Sequence, residues 1–136
     1  MDLILWRHAE AGSGDDDLQR ALTTRGERQA ARMAAWLNHH LPATTRVLCS
    51  PALRARQTAD ALERRVKVTD SLAPGASAAA LLEAVRWPKS REPVLVVGHQ
   101  PTLGAAASLL LAGIEQPWSV RKGAVWWLRS REGEGE

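Results

Sequence analysis

Apolar residues along this chain come in two rhythms: short unbroken runs, and longer stretches in which they recur every third or fourth position. Leu3 to Trp6, Arg46 to Cys49 (RVLC) and Pro93 to His99 (PVLVVGH) are runs of the first kind. The last has no polar alternation, the pattern left by burial of a parallel strand on both faces. A weaker strand is expected within Val66 to Leu72, and GAVWWLRSR, residues 123–131, reads as a final strand at a sheet edge. Helical stretches lie between. Thr24-Arg25-Gly26-Glu27 has the form of a capping box, in which Thr and Glu satisfy each other's backbone amides. The helix it opens runs through RQAARMAAWLNHH, with Ala30, Ala34, Leu37 and Leu41 on one face. Ser50-Pro51 supplies an N-cap followed by proline at the first helical position, where a missing N–H costs nothing, and predicts a second helix over 51–65. SAAALLEAVRW, residues 77–87, predicts a third helix ended by Pro88, and a fourth starts at Pro101 and stops at Gly113. Strands alternating with helices in this way make an α/β fold with a largely parallel sheet.

Length and composition narrow the class. A chain of 136 residues fits one domain, here residues 1–130, and can bury about two-thirds of its unfolded surface. The tail, residues 131–136, is expected to be disordered for want of apolar residues. The single cysteine, Cys49, has no internal disulfide partner and follows Val47 and Leu48, so it reads as a small buried hydrophobe. With no basic leader and no run near the roughly 18 apolar residues of a membrane span, the protein is expected to be soluble, cytoplasmic and without a membrane partner. The net charge of +3 comes mostly from arginines spread along the chain, with lysine only at 67, 89 and 122. The six tryptophans have no Tyr or Phe beside them, and Trp126 and Trp127 lie in an apolar segment suited to packing. Nucleic acid is therefore not an expected partner, whereas a basic surface suits an anionic or acidic-protein substrate.

Three of the strands end in polar groups of a similar kind: Arg7-His8, Ser50 with Arg54, and Gly98-His99. In open α/β sheets ligands bind outside the carboxyl ends of the strands. If these strands are parallel, the groups converge on one edge, where the segments after Pro51 and Pro101 also begin helices whose free amides favour an anion. Taken singly these residues have bland readings: a lone His at a strand end is usually structural. Arg56, two positions from Arg54, faces elsewhere on a helix and reads as solvated surface. His39 and His40 sit late in their helix, where a cation is ordinary.

Four pieces in order, RHAEA, LTTRG, SPALRARQTA and GHQPTLG, change that balance. Together they resemble the histidine phosphatase superfamily, most closely its short SixA-like phosphohistidine phosphatases, over residues 3 to about 128. The resemblance implies a three-layer α/β/α, phosphoglycerate-mutase-like fold in a minimal version without large insertions. It implies that His8 is the nucleophile that becomes phosphorylated and that Arg7, Arg54 and His99 surround the phosphoryl group, with no cofactor or metal. The implied partner is a phosphorylated protein such as a histidine-containing phosphotransfer domain. The chemistry agrees. A neutral imidazole is a competent nucleophile near pH 7, arginine forks suit the equatorial phosphoryl oxygens, and His99 serves best as a cation once phosphate is bound. No HxxxH or Cys/His spacing suggests a metal site.

Two departures matter. Ala9 stands where the commonest signature has glycine. Many relatives also draw a general acid from an inserted segment for which this chain has little room. Glu10 and the run Asp15-Asp16-Asp17, Asp17 above all, are the candidate proton donors, although acid runs are commonly solvated loops. A site poor in acids fits N–P bonds better than sugar esters. The competing readings are a phosphatase for small phosphate esters and a non-catalytic phosphoprotein-binding module that keeps the arginines.

Overall fold

The computed structural model describes residues 1–130; the disorder expected of residues 131–136 lies outside them. Strands β1 (Asp2–Arg7), β2 (Arg46–Cys49), β3 (Lys67–Val68), β4 (Val94–Gly98) and β5 (Val125–Arg129) form one sheet in the order β3-β2-β4-β1-β5. β4 pairs in parallel with both β1 and β2, and β2 in parallel with β3. β5 closes the edge antiparallel to β1. The helices are α1 (Thr24–His40), α2 (Leu53–Asp60), α3 (Ala78–Ala84) and α4 (Thr102–Ala112). None among the described residues is long and apolar enough to cross a membrane.

Alternate residues of the central strands feed two cores, one on each face of the sheet. Leu3, Leu5, Val94 and Val96 pack with Leu81 and Val85 of the α3 segment and with Leu103, Ala106 and Ala107 of α4. Ile4, Trp6, Leu95 and Val97 pack with Ala34 and Leu37 of α1 and with Ala55 and Ala59 of α2. Both faces of β4 are thus covered, which is why its sequence is an unbroken apolar run. Each such Leu or Val contributes about 1.5–3 kcal/mol on burial, so the two cores hold the three layers together. Cys49 is buried in the second core, where desolvation, reinforced by Asp60, pushes its thiol up to about 12 and keeps it inert.

Several boundaries differ from the sequence-based expectation, each for a local reason. The cap of α1 is Thr23, not Thr24, and its hydroxyl accepts from the Gly26 amide at 3.0 Å. Position N3 is therefore Gly26, which cannot complete a capping box; Glu10 supplies the carboxylate instead, accepting from Thr23 Oγ1 at 2.7 Å. Helix α2 opens only at Leu53, with Ala52 at its N-cap and no side-chain cap, because Ser50 points its hydroxyl into the site described below. It ends at Asp60 rather than 65. There the chain tightens through Ala61 N–H to Thr58 O and Leu62 N–H to Ala59 O, and Glu63 takes a left-handed φ of 55°. Asn38 and Arg64 tie this turn to the end of α1, through Leu62 O and through Leu41 O and Pro42 O. β3 shrinks to two residues before a 3₁₀ turn at Asp70–Leu72 buries Leu72. α3 stops before Pro88 because Arg86 turns left-handed (φ 59°), with Trp87 N–H on Leu82 O and Arg86 N–H on Glu83 O, a Schellman termination.

Gly26 sets how closely α1 approaches the loop after β1: a Cβ there would lie 2.0 Å from the Glu10 carbonyl oxygen. Gly26→Ala is expected to cost about 1–3 kcal/mol, as overpacking does. Urea denaturation should show a lower midpoint with an unchanged slope.

Candidate active site

The parallel ladder continues one residue past the strand ends. His8 N–H bonds Gly98 O at 3.1 Å and Ser50 N–H bonds Val97 O at 3.0 Å. Those bonds bring the residues after β1, β2 and β4 level at one edge of the sheet. His8 and His99 face each other there with ring centroids 5.1 Å apart and planes tilted by 54°. Arg54 joins them from the first turn of α2, and Arg7 from the end of β1. His8, Arg54 and His99 are buried, and Arg7 is half-buried. The four residues singled out in the sequence thus share one pocket. Arg56 is exposed, as are His39 and His40, whose Nδ1 at His40 bonds Trp36 O.

Hydrogen bonds fix the chemistry of each ring. His8 Nδ1 lies 2.7 Å from Ala9 O, and a carbonyl only accepts, so Nδ1 carries the proton and Nε2 is left with the lone pair. Desolvation is the main reason the His8 pKa falls to about 4; Arg54, Arg7 and Lys122 push the same way, against the Ala9 hydrogen bond. The ring is neutral at physiological pH, with a free lone pair on Nε2. Ser50 Oγ accepts from the Ala52 amide at 3.1 Å and sits 2.7 Å from His99 Nε2. That contact occupies Nε2 and leaves Nδ1 as the ring nitrogen with no protein partner. Desolvation first, then the charges of His8, Arg54 and Arg7, against the attraction of Asp17, bring His99 down to about 3. The free site therefore holds both rings neutral. A phosphoryl dianion would reverse the local field and favour the cationic His99 expected from the sequence.

The buried polar atoms left without a partner point to the ligand. Among the described residues, side-chain atoms of this kind are Arg7 Nε, Arg54 Nε and His99 Nδ1, with Thr45 Oγ1 outside the site. Arg7 Nη1 is held by Val120 O at 3.0 Å, and Arg54 by Asp17 through its carbonyl (2.7 Å) and carboxylate (3.2 Å). The forks are fixed at their tips while donors remain unspent. Such an arrangement can bind a tetrahedral oxyanion with an imidazole nitrogen beside it.

Both candidate proton donors are hydrogen-bonded within the protein. Glu10 is tied to the N-cap of α1 through Thr23. Desolvation would raise Asp17, but hydrogen bonds and charge from Arg54 and Arg20 outweigh it and hold the carboxyl below its usual range. Ala9, in place of the common glycine, keeps an ordinary backbone angle, so no glycine is needed there.

Sequence reasoning missed two supports. Thr58 Oγ1 accepts from the Ala9 amide at 3.1 Å and donates to Arg54 O at 2.7 Å, joining the loop after β1 to α2. The signal was present as a Thr one helical turn beyond Arg54. Gly123, left-handed at φ 75°, donates its amide to Arg7 O and His8 O at 3.0 and 3.1 Å and accepts from Trp6 Nε1. A Lys-Gly pair before a strand was its only trace.

Comparison with known proteins bears on this pocket. The sequence profile described as the histidine phosphatase superfamily (branch 1) matches residues 3–75. Phosphohistidine phosphatase SixA of Escherichia coli is 32% identical over 127 residues, covering 86% of this chain and 78% of that protein. Among solved structures, one from Nakamurella multipartitia described as a candidate phosphohistidine phosphatase SixA is 39% identical with a TM-score of 0.71, covering 87% of this chain and 73% of the other. The protein histidine phosphatase SixA complexed with tungstate is 26% identical with a TM-score of 0.73, covering 95% of each chain.

The depressed histidines set a pH dependence. Unfolded, both rings bind protons below about 6.5; folded, His8 does so only near 4 and His99 near 3. Stability from burying them neutral is complete above that unfolded value and is lost as pH falls toward the folded ones. NMR titration should find neither ring protonated at pH 5.5, and a ring titrating near 6.5 would show that it is solvated.

Proposed function

The chain belongs to the histidine phosphatase superfamily, and from that premise we propose that it hydrolyses phosphohistidine on a protein through a phosphorylated His8. The observation that carries this reading is the His8 ring, fixed by Ala9 with Nε2 unprotonated, beside unspent donors on Arg7, Arg54 and His99. Nε2 attacks phosphorus in line as the P–N bond of the substrate breaks. The electron pair of that bond goes to the departing imidazole, which leaves neutral when its other ring nitrogen already carries a proton. Charge on the equatorial oxygens falls to Arg7, Arg54 and His99. Water then forms the new P–O bond, the Nε2–P bond breaks, its pair returns to His8, and inorganic phosphate takes up the water proton.

The choice of an N–P substrate follows from proton economy. An alkoxide departs only if something protonates it, and Glu10 and Asp17 are both engaged elsewhere. A protonated phosphohistidine brings its own proton. Similarity to the phosphohistidine phosphatase SixA of Escherichia coli supports the same substrate class, and tungstate in another SixA is a tetrahedral oxyanion like phosphate.

Intact-protein mass spectrometry after an acid-free quench with a phosphoryl donor tests the intermediate. Wild type should gain one phosphoryl mass and release phosphate. His8→Ala should show neither, with turnover lower by at least about a thousandfold, while Arg54→Ala should lose about 10²–10³ in rate. Efficient hydrolysis of sugar phosphates without turnover of a phosphohistidine protein would sink the substrate assignment.

A further inference from the structure

On the α1/α2 face of the sheet the helical layer stops short of the edge. α1 covers β1, with Ala34 and Leu37 in one core with Ile4 and Trp6, whereas Val125 and Trp127 of the next strand, β5, stay half-buried at the margin of that core. Between α1 and β5 lies a groove of about 550 Å³ whose apolar floor is Met33, Trp36, Val125 and Trp127. Trp36 is 46% exposed and stands edge-on to Trp127, ring centroids 6.3 Å apart. An exposed tryptophan over an apolar floor is the kind of anchor that dominates protein interfaces.

The rim of the groove carries one sign of charge. Arg32 and Lys122 line it, and Arg25 and Arg28 stand on the preceding turns of the same helix, sharing a second depression with Arg32. The one acid of α1, Glu27, faces the opposite depression with Gln57 and Asp60. Asp2, near Trp127 and remote from the site, is paired with Arg129 at 2.8 Å. Lys122 and Gly123 also line the groove, and the Gly123 amide holds the carbonyls of Arg7 and His8, which ties this side of the groove to the backbone of the candidate site.

We propose that this groove docks an amphipathic helix of the phosphohistidine protein, laid beside α1 over β5. Its apolar face would meet Trp36 and Trp127, and its carboxylates Arg25, Arg28, Arg32 and Lys122. The inference rests on the phosphohistidine reading and names the surface that selects the partner. A helix, rather than an extended strand, fits because the vacancy is a missing place in a helical layer on a sheet face. The twelve residues from Arg25 to Trp36 span about 17 Å at about 1.5 Å rise, enough to run beside three turns of a partner.

The test uses a histidine-containing phosphotransfer domain with an acidic helix beside its histidine, and free phosphohistidine as a substrate too small to reach the groove. Trp36→Ala and Arg32→Glu should each lower kcat/KM on the phosphorylated domain at least tenfold and leave kcat/KM on free phosphohistidine within twofold. Amide shifts on adding the unphosphorylated domain should centre on Met33, Trp36, Val125 and Trp127, a readout independent of turnover. Shifts elsewhere, or equal losses on both substrates, would overturn the proposal. So would a concentration-dependent dimer abolished by Trp36→Ala, which would assign the groove to a second copy. Groove binding without phosphate release from either substrate would support the docking surface and refute the phosphatase reading.

Discussion

Backbone hydrogen bonds from His8 to Gly98 and from Ser50 to Val97 carry the parallel ladder one residue beyond the strands. Everything in the pocket depends on this extension. It puts the residues that follow β1, β2 and β4 at one height, so side chains far apart in sequence meet without a special loop. The sheet can impose that register because both of its faces are dry. A slip by one residue would turn Ile4 and Trp6 into the other core and Leu3 and Leu5 out of it. Packing on either side of β1 therefore fixes where His8 stands.

Burial also sets the electrostatics. Two guanidinium groups and two imidazoles lie together at one edge of the sheet, with Asp17, bonded to Arg54, as the anion beside them. The rings respond by staying neutral, the cheapest way to place four nitrogen bases together. The remaining positive field is that of Arg7 and Arg54, whose tips are spent on Val120 and Asp17 and whose Nε atoms are not. An anion entering such a site meets donors already oriented, so little reorganisation accompanies binding or the change of charge during transfer.

Much of this was legible in the sequence because the same physics writes both. β4 is covered on two faces and reads as unbroken apolar residues; β1 does the same until Arg7, where the sheet opens. His8, Arg54 and His99 were found at strand ends and a helix start because those are the places a parallel sheet offers to a ligand. Less visible were features in which one side chain chooses between local and distant partners. Ser50 looked like a helix cap and, besides accepting from the Ala52 amide, bonds His99; Thr24 looked like one, but Thr23 takes the role, its hydroxyl also reached by Glu10 from a distance in sequence. The early end of α2 follows from Asn38 and Arg64 bonding across to the end of α1, contacts that no local pattern encodes. Asp17 could be named but not given its place, since an acid run is silent about which member meets Arg54.

The hydroxyl of Thr58 links the amide after His8 to the helix that carries Arg54. In mechanical terms, it is a strut that adds to the packing of Ala55 and Ala59 against Ile4 and Trp6. A displacement of α2 is opposed by this bond, so the separation between the His8 ring and the Arg54 guanidinium is held by a hydrogen-bonded link as well as by packing.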